Sequence, residues 1–168
     1  MDHEEMKEQF LMVYDQHADA IFRYCQMKVS SREMAEDISQ EVFTRYWQQL
    51  RLGKDVQNDR ALLYSIARNL VIDWYRKKKD QSLDTLTDAG FEFGTDDHIA
   101  TVAQSEIREV LGVLSELDEP TREALTLRFV EGFLPSEIAE LTGESANTIS
   151  VRITRGLQKV RDYLHIHE

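Results

Sequence analysis

The chain holds one cysteine, two prolines and seven glycines in 168 residues. A single thiol, Cys25, excludes an internal disulfide and any zinc site built from clustered cysteines. So little proline and glycine suits a mostly helical chain. No apolar run approaches the roughly 20 residues that span a bilayer, so no membrane insertion is expected. The start, Met1-Asp2-His3-Glu4-Glu5, lacks the basic stretch of a secretory leader, and a cytoplasmic protein is expected. The histidines (His3, His17, His98, His165, His167) show no ligand-spaced pairing with carboxylates. Glycine-rich phosphate loops and nucleophile elbows are missing as well. No catalytic residue, metal ligand or cofactor is therefore expected, and the chain does not read as an enzyme.

Acid is abundant: 31 Asp and Glu stand against 20 Lys and Arg, a net charge of −11. Taken whole, that charge argues against a nucleic-acid partner. Its distribution argues otherwise. Residues 1–49 carry −5, residues 81–120 carry −9 and residues 121–144 carry −3, whereas residues 50–80 carry +4 and residues 145–168 carry +2. Charges are screened beyond about 8 Å at physiological salt, so a basic island can hold phosphate on an acidic chain.

Hydrophobic spacing predicts an all-α protein of two small helical domains. Residues 1–79 form the first and residues 106–168 the second. Between them, residues 80–105 lack a helical stripe, hold Gly90, Gly94 and many aspartates, and read as a flexible acidic linker with Phe91 and Phe93 as contact points. The first domain shows three stripes: Phe10, Tyr14, Ala18, Ile21, Phe22 and Cys25; then Ala35, Ile38, Val42, Tyr46 and Leu50 behind a Ser30-Ser31 cap; then Leu62, Leu63, Ile66, Leu70 and Trp74 before Arg76-Lys77-Lys78-Lys79. The second domain shows four. Ile107, Val110, Leu111, Leu114 and Leu117 form one, and Asp118 caps the next, which runs to about Val130. Pro135 opens a short helix that Gly143 stops. The last, from Ser145, buries Ile149, Ile153, Leu157, Val160 and Leu164.

Residues 135–155, PSEIAELTGESANTISVRITR, have the layout of a helix-turn-helix. Small Ala139 allows a close crossing, and Ser145 can cap the second helix. Asn147, Thr148, Ser150, Val151, Arg152, Thr154 and Arg155 are expected to face outward. Asn147 and Ser150 suit base edges, the methyls of Val151 and Thr154 suit thymine, and the arginines suit phosphates.

With these motifs in view, the chain resembles a bacterial sigma factor of the sigma-70 family, extracytoplasmic-function (ECF) group. Ala35-Glu36-Asp37-Ile38-Ser39-Gln40-Glu41-Val42-Phe43 resembles a sub-region of that family's first domain. Leu63-Tyr64-Ser65-Ile66-Ala67-Arg68-Asn69-Leu70, Ile72-Asp73 and the basic run resemble its promoter-facing helix, and the helix-turn-helix resembles its second domain. The resemblance implies a specificity subunit of RNA polymerase. Asp37, Gln40, Glu41 and Phe43 would meet a coiled coil of the β′ subunit of core RNA polymerase, with the β subunit as a further contact. Asn58, Arg60, Tyr64, Arg68, Asn69, Arg76, Lys77 and Lys78 would face the −10 strands of promoter DNA, around a base-trapping loop at Lys54–Asn58. Ser145, Asn147, Thr148, Ser150, Val151, Arg152, Thr154 and Arg155 would read the −35 duplex.

The chain departs from the family at several positions. Asp59 and Leu62 stand where many members have aromatics, and Asn58-Asp59-Arg60-Ala61 is similar to the iron-transport-regulating branch. Ser150 stands where a basic residue is common, and Val151 where serine is. Relatives are often held by an anti-sigma factor wedged between the domains, which a flexible linker permits here. Nothing follows Glu168, so no fused regulator is expected. The competing reading is a free-standing helix-turn-helix transcriptional regulator; it leaves the Asp37–Phe43 motif and the acidic linker unexplained.

Overall fold

A computed structural model describes residues 2–29, 31–81 and 103–166, with the side chains of 103–107, 111 and 166 outside that set. The expected linker contacts Phe91 and Phe93, together with Ser30, His98 and His167, lie outside the described residues. Among the described residues every regular element is helical. The chain divides into two compact units, Met1–Gly94 and Thr95–Glu168.

The first unit packs α1 (His3–Lys28), α2 (Arg32–Arg51) and α3 (Asp59–Gln81). A capping box starts α1: the Asp2 carboxylate accepts from the Glu5 amide at 2.9 Å, and the Asp2 amide donates to the Glu5 carboxylate at 2.8 Å. Ser31 caps α2 by accepting from the Met34 amide. All five residues of the expected α2 stripe are buried, joined by Phe43. On α1 the buried face is Val13, Ile21, Tyr24 and Cys25, while Tyr14 is 44% exposed, contrary to expectation. On α3 it is Leu63, Tyr64, Ala67 and Val71, and Trp74 is only half-buried. Leu62, Ile66 and Leu70 of the expected stripe are half-buried, so the inward row is turned toward Leu63, Tyr64, Ala67 and Val71. Cys25 is fully buried, and burial pushes its thiol up to about 12.

The start of α3 is tied to both other helices. The Tyr46 hydroxyl donates to Asp59 Oδ1 at 2.7 Å, and the Gln9 amide reaches Asp59 at 3.4 Å. Tyr46 itself is fully buried, and burial raises its pKa. Tyr46→Phe is expected to lower the stability of this unit by about 1.5–3 kcal/mol, the scale of a lost bond to a charged acceptor. The only tryptophans, Trp47 and Trp74, lie here. A urea midpoint followed by tryptophan fluorescence checks it, and an unmoved midpoint refutes it.

The second unit holds α4 (Ala103–Ser115), α5 (Glu119–Leu125), α6 (Pro135–Thr142) and α7 (Ala146–Ile166). Val113 and Leu117 are buried, whereas Val110 is exposed despite its place in the expected stripe. Asp118 caps α5, accepting from the Thr121 hydroxyl at 2.8 Å and amide at 3.3 Å, and the Thr121 hydroxyl holds its carboxyl below the usual range. The expected helix does reach Val130, but it is α-helical only to Leu125 and widens into a π-helical turn over Thr126–Val130. Gly132 then takes a φ of 75°, and the Phe133 amide donates to Leu127 O at 2.9 Å. That reversal sends both Leu127 and Phe133 inward. Leu164, expected in the core, lies exposed near the end of α7.

Candidate nucleic-acid and partner interfaces

In the second unit α6, a three-residue turn and α7 form a helix-turn-helix. Ile138 and Ala139 on α6 and Ile149 and Ile153 on α7 are buried. Gly143 adopts a φ of 74°, and the amides of Gly143 and Glu144 both donate to Ala139 O, at 2.9 and 3.2 Å. Ser145 starts α7. Its hydroxyl accepts from the Thr148 amide at 3.1 Å and shares a hydrogen bond with the Thr148 hydroxyl at 2.8 Å. Both hydroxyls are therefore engaged in shaping the helix start.

Asn147, Ser150, Val151, Thr154 and Arg155 are all exposed, and their spacing puts them on one face of α7. The Thr154 hydroxyl bonds back to Ser150 O at 3.0 Å. This face offers an amide, a hydroxyl, a branched methyl pair and a guanidinium, the chemistry of base edges and phosphates.

Arg152 departs from its expected outward position. It shares the i, i+3, i+4, i+7 row of Ile149, Ile153 and Gly156, and its guanidinium reaches Glu144 at 2.7 Å. The pair is half-shielded, with side chains 20% and 34% exposed. Asp118 and Glu123 add negative charge around it.

In the first unit the residues expected around α3 separate into two groups. Asn58 caps the helix, its Oδ1 accepting from the Ala61 amide at 3.0 Å. Arg60 is half-buried with its guanidinium 5.9 Å from the Tyr64 ring. Tyr64 needs correction: it is 2% exposed, packed edge-on against Tyr24 at 5.3 Å, and presents no surface to a strand. Its place on the Leu63–Ala67–Val71 row turns it inward. His17 lies near this end, its pKa lowered by burial and then by Arg60, with Asp59 opposing. Arg68 is half-buried and Asn69 exposed.

At the other end of α3, Arg76, Lys77 and Lys78 are exposed. Arg76 makes a long ion pair with Asp73 at 3.8 Å, and the Lys78 ammonium sits 4.9 Å from the Trp74 ring. Tyr75 stands edge-on to Trp74 at 4.8 Å, and its hydroxyl donates to Lys28 O. Arg76, Lys77 and Lys78 were expected to face DNA, but reading Trp74 as core missed the aromatic part of this surface. The signal was the adjoining run of four cations, since cations with aromatics suit phosphate and stacked bases.

On α2, Asp37 and Gln40 are exposed, and Glu41 pairs with Arg45 at 2.7 Å. Gln40 and Phe43 line a groove of about 570 Å³ together with Lys7, Phe10, Tyr14, Thr44 and Trp47. Phe43 is its floor, buried against Tyr14 at 4.8 Å. The acidic flank thus adjoins an aromatic groove, which could not be foreseen while Phe10 and Tyr14 were placed in the core. Among the described residues no group of side chains is arranged to hold a metal ion, and no helix is long and apolar enough to cross a membrane.

Residues 13–81 match the family described as Sigma-70 region 2, and residues 107–160 match Sigma-70, region 4. The ECF RNA polymerase sigma factor SigX of Bacillus subtilis (strain 168) is 25% identical over 169 residues, covering 96% of this chain and 86% of that protein. SigM of the same organism, also an ECF RNA polymerase sigma factor, is 28% identical over 152 residues, covering 89% and 91%. Among solved structures, the sigma factor RpoE in complex with the anti-sigma factor NepR, from Bartonella quintana, superposes with a TM-score of 0.72 at 22% identity, covering 98% of this chain and 99% of that one. CnrH in complex with the cytosolic domain of CnrY gives 0.69 at 22% identity, covering 96% and 91%. These structural likenesses speak to the fold.

Proposed function

We infer that the chain, which carries region 2 and region 4 of the sigma-70 family, belongs to the extracytoplasmic-function group of that family and directs core RNA polymerase to specific promoters to initiate transcription. The observation that carries this is the presence of region 2 and region 4 in one chain, in family order. A free-standing regulator is disfavoured, because it leaves the whole match at 13–81 without a task.

Within this reading residues 1–79 and 106–168 act as separate domains joined by the segment 80–105. Asp37, Gln40 and Glu41, beside the groove floored by Phe43, dock on the β′ coiled coil. Exposed carboxylates meeting arginines on a partner helix form charge-assisted hydrogen bonds. Arg76, Lys77 and Lys78 with Trp74, and Arg60, Arg68 and Asn69, hold the opened −10 strands. Flipping a base costs a few kcal/mol, offset by stacking and pocket contacts. Asn147, Ser150, Val151, Thr154 and Arg155 read the −35 duplex, and Ser145 and Thr148 set the helix start. The chain has no reaction of its own and works in the cytoplasm with polymerase and promoter DNA. An anti-sigma factor, as in the RpoE–NepR complex, is a further partner.

The test is run-off transcription from genomic promoter fragments by core RNA polymerase, with and without the chain. Discrete new transcripts that require it are expected; an unchanged pattern rejects the assignment.

A further inference from the structure

The Glu144–Arg152 pair bridges two segments eight residues apart, and each of its ends is anchored independently. Glu144 belongs to the turn, where its amide donates to Ala139 O at 3.2 Å on the last turn of α6. Arg152 sits two turns into α7, between the buried Ile149 and Ile153. Their 2.7 Å contact therefore closes a triangle of α6, turn and α7. The angle between the two helices sets where Asn147, Ser150 and Val151 stand in a groove.

Glu144 touches this guanidinium at 2.7 Å, and the charges of Asp118 and Glu123 act on it as well. A phosphate arriving at Arg152 would have to displace Glu144. Arg155, three residues on, is exposed. Arg152 and Arg155, on the same helix, thus stand in opposite surroundings.

We infer that Arg152 is a positioning residue, and that Glu144 and Arg152 together brace the helix-turn-helix, leaving Arg155 as the phosphate contact of α7. This rests on the promoter reading above and assigns to Glu144 a role in how α7 is presented to the −35 duplex.

The experiment uses the full chain assembled with core RNA polymerase. Its probe is a duplex selected by the wild-type assembly from a random-sequence pool, and binding is measured across a salt series. Arg152→Ala is expected to weaken binding about fivefold, the scale of a half-exposed ion pair. It should leave the salt slope unchanged. Arg155→Ala should flatten that slope by about 0.9 log units per log unit of salt, one phosphate's worth. Glu144→Gln keeps an acceptor for the guanidinium while removing charge, so it should bind about fivefold more tightly than Glu144→Ala. The double variant Glu144→Ala, Arg152→Ala should be no weaker than Arg152→Ala alone.

A slope flattened by Arg152→Ala, or Glu144→Ala binding as tightly as Glu144→Gln, overturns the brace. A wild-type assembly that selects no duplex overturns the promoter reading and the brace with it. Circular dichroism of each variant separates these results from unfolding: a variant that keeps its helicity and still behaves as stated supports the brace.

Discussion

Replacing Asp37 and Glu41 together by arginine is expected to abolish binding to core RNA polymerase, lowering affinity at least about 100-fold, since each charge-assisted hydrogen bond lost costs about 1.5–3 kcal/mol. On the proposed docking, with arginines on the partner helix, repulsion would add to that loss. Inside the chain the change is mild. Glu41 exchanges its pair with Arg45 for a like-charge neighbour one turn away, worth a few tenths of a kcal/mol. Arginine is also a good helix former, so α2 should keep its helicity. The fitting control is Asp15→Arg with Asp19→Arg, an equal change of charge at two exposed positions of α1. Co-purification with core polymerase should fail for the first pair and persist for the second. Retention of both pairs on core would remove the acidic flank from the interface.

Gly156→Val should unfold the second unit, and Gly156→Ala should destabilise it by about 1–3 kcal/mol, as overpacking does in a close-packed core. A Cβ at this position would lie 2.6 Å from Thr121 Cγ2 and 3.0 Å from Leu125 Cδ1, where α7 crosses α5. Thr121 cannot yield cheaply. It is buried, its branched Cβ restricts χ1, and its hydroxyl is bonded to Asp118 at 2.8 Å in the cap of α5. The gain in helix propensity from Gly to Ala, about 1 kcal/mol, is smaller than this cost. Thr121→Ser removes the offending methyl and keeps the hydroxyl, so it should restore much of the stability of Gly156→Ala. Both tryptophans lie in the first unit, so the loss should appear in circular dichroism with an unmoved tryptophan transition. Valine accepted without loss of ellipticity would refute the tight crossing.

Much of the fold was legible because local rules and tertiary packing agree. Ser31, Asp118, Gly143 and Ser145 sit where cap and turn chemistry puts them, and α2 and the inner face of α7 follow simple periodicity. The rest depended on which of two apolar rows faces inward. On α3 the bulky Leu62, Ile66 and Leu70 compete with Leu63, Tyr64, Ala67 and Val71, and only packing against α1 and α2 decides between them. Tyr64 and Trp74 were misplaced together for that reason. Arg152 was misplaced because its charge was weighed above its angle on the helix. The π-helical turn had no local signature: it arises from the need to bury Leu127 and Phe133 around Gly132. The aromatic groove beside Gln40 stayed hidden because it joins side chains from two helices, which no single stripe reveals.

The burial of Cys25 turns the chain's one thiol into a clock. While α1, α2 and α3 stay closed, a thiol reagent finds neither access nor thiolate, since burial holds the group near 12. Labelling then proceeds only through openings of the first unit, and its rate counts them. A partner that clamps the first unit shut should slow the clock, and one that seizes only the helix-turn-helix should leave it running at its old pace.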